Sequence, residues 1–339
     1  MKRYALTILA TLVAASPVFA AGDQAPDSGA GKPEGYRVVH GWPELPEGRV
    51  LGAVSGVGVD TQGKVFVFHR NERRWPATDK LETTPIAGAT VTVFDPNSGK
   101  VLAEWGQNTF AMPHGLTIDF NDNVWLTDVA LHQVYKYTRD GELLLTLGER
   151  GVSGNDGTHF NRPTDVAVAP DGSVFVSDGY RNTRVIKFSA DGKFVSQWGE
   201  PGNGPGEFNV PHGIAMDSAG HIYVADREND RVQVFDAAGH FLAQWKDGAI
   251  GRPYGIAIAP NGTALIADGG EQPDNPPDRS GLGILKLDGT IIERIGRWGN
   301  YDGQFLIAHD VAVAQDGTVY VGDITGGRVQ KFVNTSKQR

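Results

Sequence analysis

From about Val50 onward, short runs of β-branched and aromatic residues alternate with Gly, Asp, Asn and Pro, and one unit of this pattern returns six times. Its clearest copy predicts a strand over Thr164–Ala169, a turn at Pro170-Asp171-Gly172 and a second strand over Val174–Asp178. A third strand follows over Arg184–Phe188, then a turn at Asp191-Gly192 and a fourth strand over Phe194–Trp198. Four short antiparallel strands joined by Asp-Gly hairpins make one blade of a β-propeller. The first hairpin recurs at Gln62-Gly63, Asn121-Asp122, Asp171-Gly172, Ala219-Gly220, Asn261-Gly262 and Asp316-Gly317, so the expectation is an all-β, six-bladed propeller. Length alone, 339 residues, suggests about two domains, but the repeat merges residues 34–339 into one. The last unit stops after Arg328–Phe332, one strand short. Tyr36–Trp42 repeats the pattern of Phe194–Trp198 and is expected to supply the missing strand, closing the ring and removing its free edge.

Two insertions break the period, at Arg70–Ala89 in blade 1 and at Gly269–Gly283 in blade 5, the second carrying Pro273, Pro276 and Pro277. Loops of this length without a helical pattern are lids, binding loops or disordered segments. Both follow second strands and should emerge on one face. Gly202–Gly206 is glycine-rich, but no helix follows it, so an inter-blade connection is expected rather than a phosphate site.

The beginning of the chain reads differently. Lys2 and Arg3 precede an apolar run from Ala5 to Ala15, and Val18-Phe19-Ala20 offers small residues for cleavage. Residues 1–20 therefore read as a signal peptide and 21–33 as a disordered lead-in, with the mature protein secreted or, in a Gram-negative host, periplasmic. No other apolar run approaches the ~20 residues of a membrane span. With no cysteine there is no disulfide and no thiolate ligand, and a net charge of −9 argues against a nucleic-acid partner.

The chemistry-bearing residues follow from the repeat. His114, His212 and His309 share one position in blades 2, 4 and 6, while Ser55, Thr164 and Tyr254 hold it in the others. Alternate blades lie about 120° apart and innermost strands line the channel, so three imidazoles converge in a pattern suited to zinc with one open position. His40, His69, His132, His159, His221 and His240 share no such position. Asp128, Asp178, Asp226, Asp268 and Asp323 end the second strands, and Arg184, Arg231 and Arg328 follow at similar distances. An acid repeated this often reads as a brace for backbone and arginine rather than as a catalyst. Arg70 and Arg227 occupy the next position in blades 1 and 4, across the axis from each other, as anion binders or as rim salt bridges. Tyr180, just past the second strand of blade 3, reads either as packing or, beside a cation, as a base. There is no Gly-x-Ser-x-Gly elbow, phosphate loop or His-Glu-x-x-His motif.

Together these residues resemble the peptidyl-α-hydroxyglycine α-amidating lyase family of NHL-repeat propellers. The resemblance runs from about Val50 to Phe332, through Phe68-His69-Arg70, Leu126–Val134, Arg162–Val166, Val176–Tyr180, Gly192–Glu200 and Val224–Asn229. It implies a lyase that splits a carbinolamide, N–CH(OH)–COO⁻, into an amide and glyoxylate. His114, His212 and His309 are then the implied Zn2+ ligands, Tyr180 the base, and Arg70 and Arg227 active-site arginines. A structural Ca2+ is implied on the axis, held by the carbonyls of Val57 and Leu116 and the carboxylate of Asp310.

Three features depart from that family. Its two animal disulfides map onto Asn161 with Arg181 and Tyr223 with Val234, and Ile307 stands where a methionine is implied. No copper monooxygenase domain is expected in this chain, so a separate monooxygenase is the implied source of a peptide ending in α-hydroxyglycine. The rival readings are a ureidoglycolate-type lyase, a non-catalytic propeller binding a partner or a peptidoglycan-derived ligand, and a calcium lactonase or phosphotriesterase. The last is disfavoured because this axis offers histidines rather than acids and amides.

Overall fold

The computed structural model describes residues 35–248, 250–270 and 279–335. The signal peptide, the lead-in and the three prolines of the blade 5 insertion lie outside them. Six four-stranded antiparallel sheets follow one another along the chain as the blades of a β-propeller. In blade 3 the strands are Asp165–Val168, Val174–Asp178, Arg184–Phe188 and Phe194–Trp198, paired in sequence order from the inside out. The innermost strands of the other blades are Val54–Val59, Pro113–Ile118, Pro211–Met216, Pro253–Ile258 and Ala308–Val313.

Alternation within the strands places the core between neighbouring blades. Trp125 and Val134 of blade 2, for example, pack with Val166, Val176 and Ile186 of blade 3. The outermost strands bury one face only, which leaves Leu144, Val195 and Leu242 about half exposed. Between blades 3 and 4, Glu200–Pro201 pairs in parallel with Glu207–Phe208, so the glycine-rich stretch is the inter-blade connection that its sequence predicts.

The ring closes through both ends of the described chain. Tyr36, Arg37 and Val38 pair with Asn334, Val333 and Phe332 on the outer side of blade 6. This closing strand is shorter than the predicted Tyr36–Trp42, because the backbone turns at Gly41, whose φ of 74° suits glycine. Trp42 therefore drops into the seam between blades 6 and 1, with ring centroids 5.0 Å from Tyr320 and 5.9 Å from Phe94.

The recurring aspartates are braces. Asp128 accepts hydrogen bonds from the backbone N–H groups of Ala111, Met112, Ala130 and Leu131. Asp178, Asp226, Asp268 and Asp323 take the corresponding amides of Asn161, Asn209, Arg252 and Leu306. Buried Arg184 and Arg231 pair with Asp178 and Asp226. Each acid thus ties the loop entering a blade to the strand leaving its centre, where unpaired amides would otherwise be buried.

Candidate metal centre

Closure of the ring brings His114, His212 and His309 together, buried, with one ring nitrogen of each within 4.8 Å of the others. Their orientation comes from the backbone of the alternate blades. The Nδ1 of His114 donates to the carbonyl of Thr164 at 2.7 Å, that of His212 to Tyr254 at 2.7 Å, and that of His309 to Ser55 at 2.8 Å. A carbonyl only accepts, so each Nδ1 carries the proton and each Nε2 keeps its lone pair. The three acceptors are the residues that replace histidine at the repeat position in blades 3, 5 and 1. Burial, reinforced by neighbouring imidazoles and arginines, holds His114 and His212 well below the ordinary histidine range. Burial likewise lowers His309 to about 3. Three neutral imidazoles presenting lone pairs to one point form a donor set that fits zinc.

Tyr180 completes the cluster. Its hydroxyl lies 3.0 Å from His114 Nε2 and 3.2 Å from His212 Nε2, and Arg227 Nη1 donates to it at 3.4 Å. The Arg227 guanidinium sits 5.3 Å from the Tyr180 ring and 4.8 Å from that of Tyr254. Glu228 fixes it through Nε, at 2.9 Å, and also pairs with Arg252, which donates to the Tyr254 hydroxyl at 3.0 Å. Arg70, 2% exposed, donates from Nε to the Pro113 carbonyl at 2.8 Å. Burial lowers Arg70 to about 10, and among the described residues its Nη2 has no hydrogen-bond partner. Arg70, Tyr180, Arg227 and His309 all line one open cavity of about 1180 Å³, with Trp75, Tyr254 and Ile307 in its wall.

A second buried feature lies along the same axis. Asp165 and Asp310 line, with the three histidines, a void of about 10 Å³. Asp310 accepts from the N–H of Val57 and of Val311, both at 2.8 Å, and Asp165 from the N–H of Ile214 at 3.1 Å. Burial raises both carboxyls, and Asp310 raises Asp165 further. Among the described residues neither bonds to a cationic side chain. The position after the histidine slot is glycine in the other four blades, and at two of them a Cβ would strike this pair. At Gly115 it would stand 2.7 Å from Asp165 Oδ1, and at Gly255 2.9 Å from Asp310 Oδ1. Two facing buried acids with backbone oxygens nearby suit a hard divalent cation.

Residues 155–247 match a family described as a 6-bladed beta-propeller. The chain is 40% identical over 300 residues to peptidyl-glycine alpha-amidating monooxygenase B of Xenopus laevis, covering 83% of this chain and 34% of that protein. It thus spans about a third of the length of that relative. It is 36% identical over 321 residues to peptidyl-alpha-hydroxyglycine alpha-amidating lyase 2 of Drosophila melanogaster, covering 87% of this chain and 75% of that protein. The chain belongs to the peptidyl-α-hydroxyglycine α-amidating lyase family. A human NHL repeat-containing protein 3 is 30% identical, covering 88% of this chain and 84% of that one. Among solved structures, a streptogramin B lyase shares the fold with a TM-score of 0.60 at 14% identity, over 88% of this chain and 98% of that one.

Sequence reasoning named six residues for this region, and the structure brings the three histidines together, with Tyr180 beside His114 and His212 and bonded by Arg227, and with Arg70 in the wall of the same cavity. It missed Asp165, although the alternation of glycine and aspartate after the histidine slot carries that signal. It also missed Trp75, which lies in a non-repeating insertion, and Glu228, Arg252 and the wall role of Tyr254, whose side-chain contacts between blades leave no periodic trace. At the implied disulfide positions, Tyr223 and Val234 are direct cross-strand partners, while Arg181 pairs with Asp79.

Proposed function

We propose that this protein is a zinc-dependent lyase that splits the C–N bond of a peptidyl- or N-acyl-α-hydroxyglycine into an amide and glyoxylate. The observation that carries this reading is the locked tautomer of all three histidines, which leaves three Nε2 lone pairs, two of them beside the Tyr180 hydroxyl. Relatives named for this activity, at 36–41% identity, support it.

Zinc held by His114, His212 and His309 supplies Lewis acidity toward the substrate's oxygens. Tyr180, whose hydroxyl oxygen accepts from Arg227 and lies beside two of the imidazoles, acts as the base that takes the substrate hydroxyl proton. The electron pair left on oxygen forms the second C–O bond of glyoxylate, the C–N pair leaves with nitrogen, and Tyr180 returns the proton there, so atoms and charge balance. Arg70, with an unused Nη2, and Arg227 hold the anionic end.

Calcium would be held by Asp310 and the carbonyls of Val57 and Leu116, with Asp165 opposite. Its role there is structural, offsetting the repulsion of the two acids. A cavity of about 1180 Å³ favours a peptidyl substrate over ureidoglycolate, which is much smaller. The charged and apolar start of the chain supports export, and a separate monooxygenase is the proposed source of substrate.

The deciding experiment measures glyoxylate released from N-benzoyl-α-hydroxyglycine and from ureidoglycolate, with and without chelator. Chelator-sensitive release from the first, restored by zinc, supports the proposal. Protein that neither binds stoichiometric zinc nor releases glyoxylate returns the chain to the binding-propeller reading.

A further inference from the structure

The blade 1 insertion is a strap laid across the mouth of the site, and its contacts lie on three blades. It leaves blade 1 at Asn71, which bridges to Gly52 and donates from Nδ2 to the Ala89 carbonyl. It crosses blade 2 on Leu81, buried with Met112, Val129 and Leu131, a cluster against which Tyr180 also packs. It reaches blade 3 at Asp79. There Arg162 donates from Nη1 to the Asp79 carboxylate at 2.8 Å and from Nη2 to the Asp79 carbonyl at 2.6 Å, and Arg181 pairs with the same carboxylate. It returns through Ile86, whose N–H bonds the Phe110 carbonyl at 2.7 Å.

What this anchoring holds in place is Trp75. Its ring lies 5.1 Å from that of Tyr180 and 5.3 Å from the Arg70 guanidinium, and it lines the cavity while remaining 40% exposed. A large apolar ring left open to solvent, inside a cavity that also carries several arginines, is an unfilled contact surface. A substrate whose hydroxyl meets Tyr180 and whose carboxylate meets Arg70 has its acyl side beside both groups, where the indole, in contact with both, offers an apolar face.

We propose that Trp75 determines specificity for the residue preceding α-hydroxyglycine, favouring an aromatic or large apolar side chain, and that Asp79 positions it by latching the strap to Arg162 and Arg181. This rests on the lyase reading above. Arg181 stands at one of the positions where the family's animal members are implied to have a disulfide; here it pairs with the strap instead. Asp79 is exposed, and the latch is open to screening by salt.

The test compares zinc-loaded full-length protein on N-acetyl-Phe-α-hydroxyglycine and N-acetyl-Gly-α-hydroxyglycine. Features common to both substrates cancel in the ratio of their kcat/KM values. We expect the Phe substrate to be favoured by about 3- to 10-fold, the range of an aromatic contact. Trp75→Ala should bring the ratio to about 1 and Trp75→Phe should keep most of it, as a stacking role requires. Asp79→Asn should lower the ratio while Asp79→Glu retains it, with zinc content unchanged in both. A ratio near 1 in the unmodified protein, or one untouched by Trp75→Ala, overturns the proposal.

Calorimetry with the unhydroxylated N-acetyl-Phe-Gly and N-acetyl-Gly-Gly separates the two readings. Tighter binding of the Phe peptide, with no glyoxylate released from either α-hydroxyglycine substrate, supports the subsite and overturns the lyase reading. Equal binding, with glyoxylate released equally from both substrates, overturns the subsite alone.

Discussion

His114 donates its Nδ1 proton to the carbonyl of Thr164, 2.7 Å away, and Thr164 holds in blade 3 the place that His114 holds in blade 2. The same relation joins His212 to Tyr254 and His309 to Ser55. Each imidazole is aimed by main chain alone, so the donor set does not depend on a mobile side chain to fix its tautomer.

His212→Ala removes one of three donors and should abolish stoichiometric zinc binding. Metal analysis of purified protein checks this, with circular dichroism to show that the blades persist. Zinc retained at one equivalent would mean that the metal sits elsewhere.

Tyr180→Phe keeps the ring that packs against Trp75 and Arg227 but loses the hydroxyl. Zinc content should be unchanged and glyoxylate release should fall by roughly 100- to 10,000-fold, the usual contribution of a positioned base. Full turnover in this variant would remove Tyr180 from the chemistry.

The facing acids predict an inversion of sign. Calcium should raise the melting temperature of the unmodified protein, and Asp165→Asn should weaken that effect. In chelator, the same substitution should raise the melting temperature, because it deletes one of two carboxyls that repel each other in a buried site. Thermal melts with calcium and with chelator read both arms, and identical curves in all four would exclude a cation there.

Trp42 fills the seam between the last blade and the first. Trp42→Ala should destabilise the chain by about 3–5 kcal/mol, as for a large aromatic removed from a core. Deleting residues 36–42 should cost more, since three ladder pairs go as well. Denaturant titration measures both, and unchanged midpoints would contradict closure by this segment.

Asp226→Ala leaves the buried Arg231 guanidinium without its carboxylate and should destabilise by about 3–5 kcal/mol. Zinc stoichiometry at temperatures below the lowered melt should remain one, which separates a brace from a catalytic acid.

The blades were legible because every hairpin carries a local signal: an Asp-Gly or related turn between strands whose alternation has period two. The three histidines were legible for a second reason, since a repeat turns sequence register into angular position around an axis. Asp165 needed the same reasoning carried one residue further, to Gly56, Gly115, Gly213 and Gly255. The strap was beyond such reading. Asp79 meets Arg162 and Arg181 across two blades, and nothing in a non-repeating insertion sets how far it reaches. The end of the closing strand was misplaced because Gly41 reads equally as a strand residue or as the turn that it forms.

The bond from His309 to Ser55 spans the seam where the ends of the ring meet. Two of the three imidazoles are oriented within contiguous chain, but the third is aimed only when the final blade has docked on the first. On the zinc proposal, metal loading would follow completion of the polypeptide in time. For an exported protein the ion would be acquired in the compartment where the ring shuts, and a nascent or truncated chain would carry a pair of imidazoles too weak to hold it.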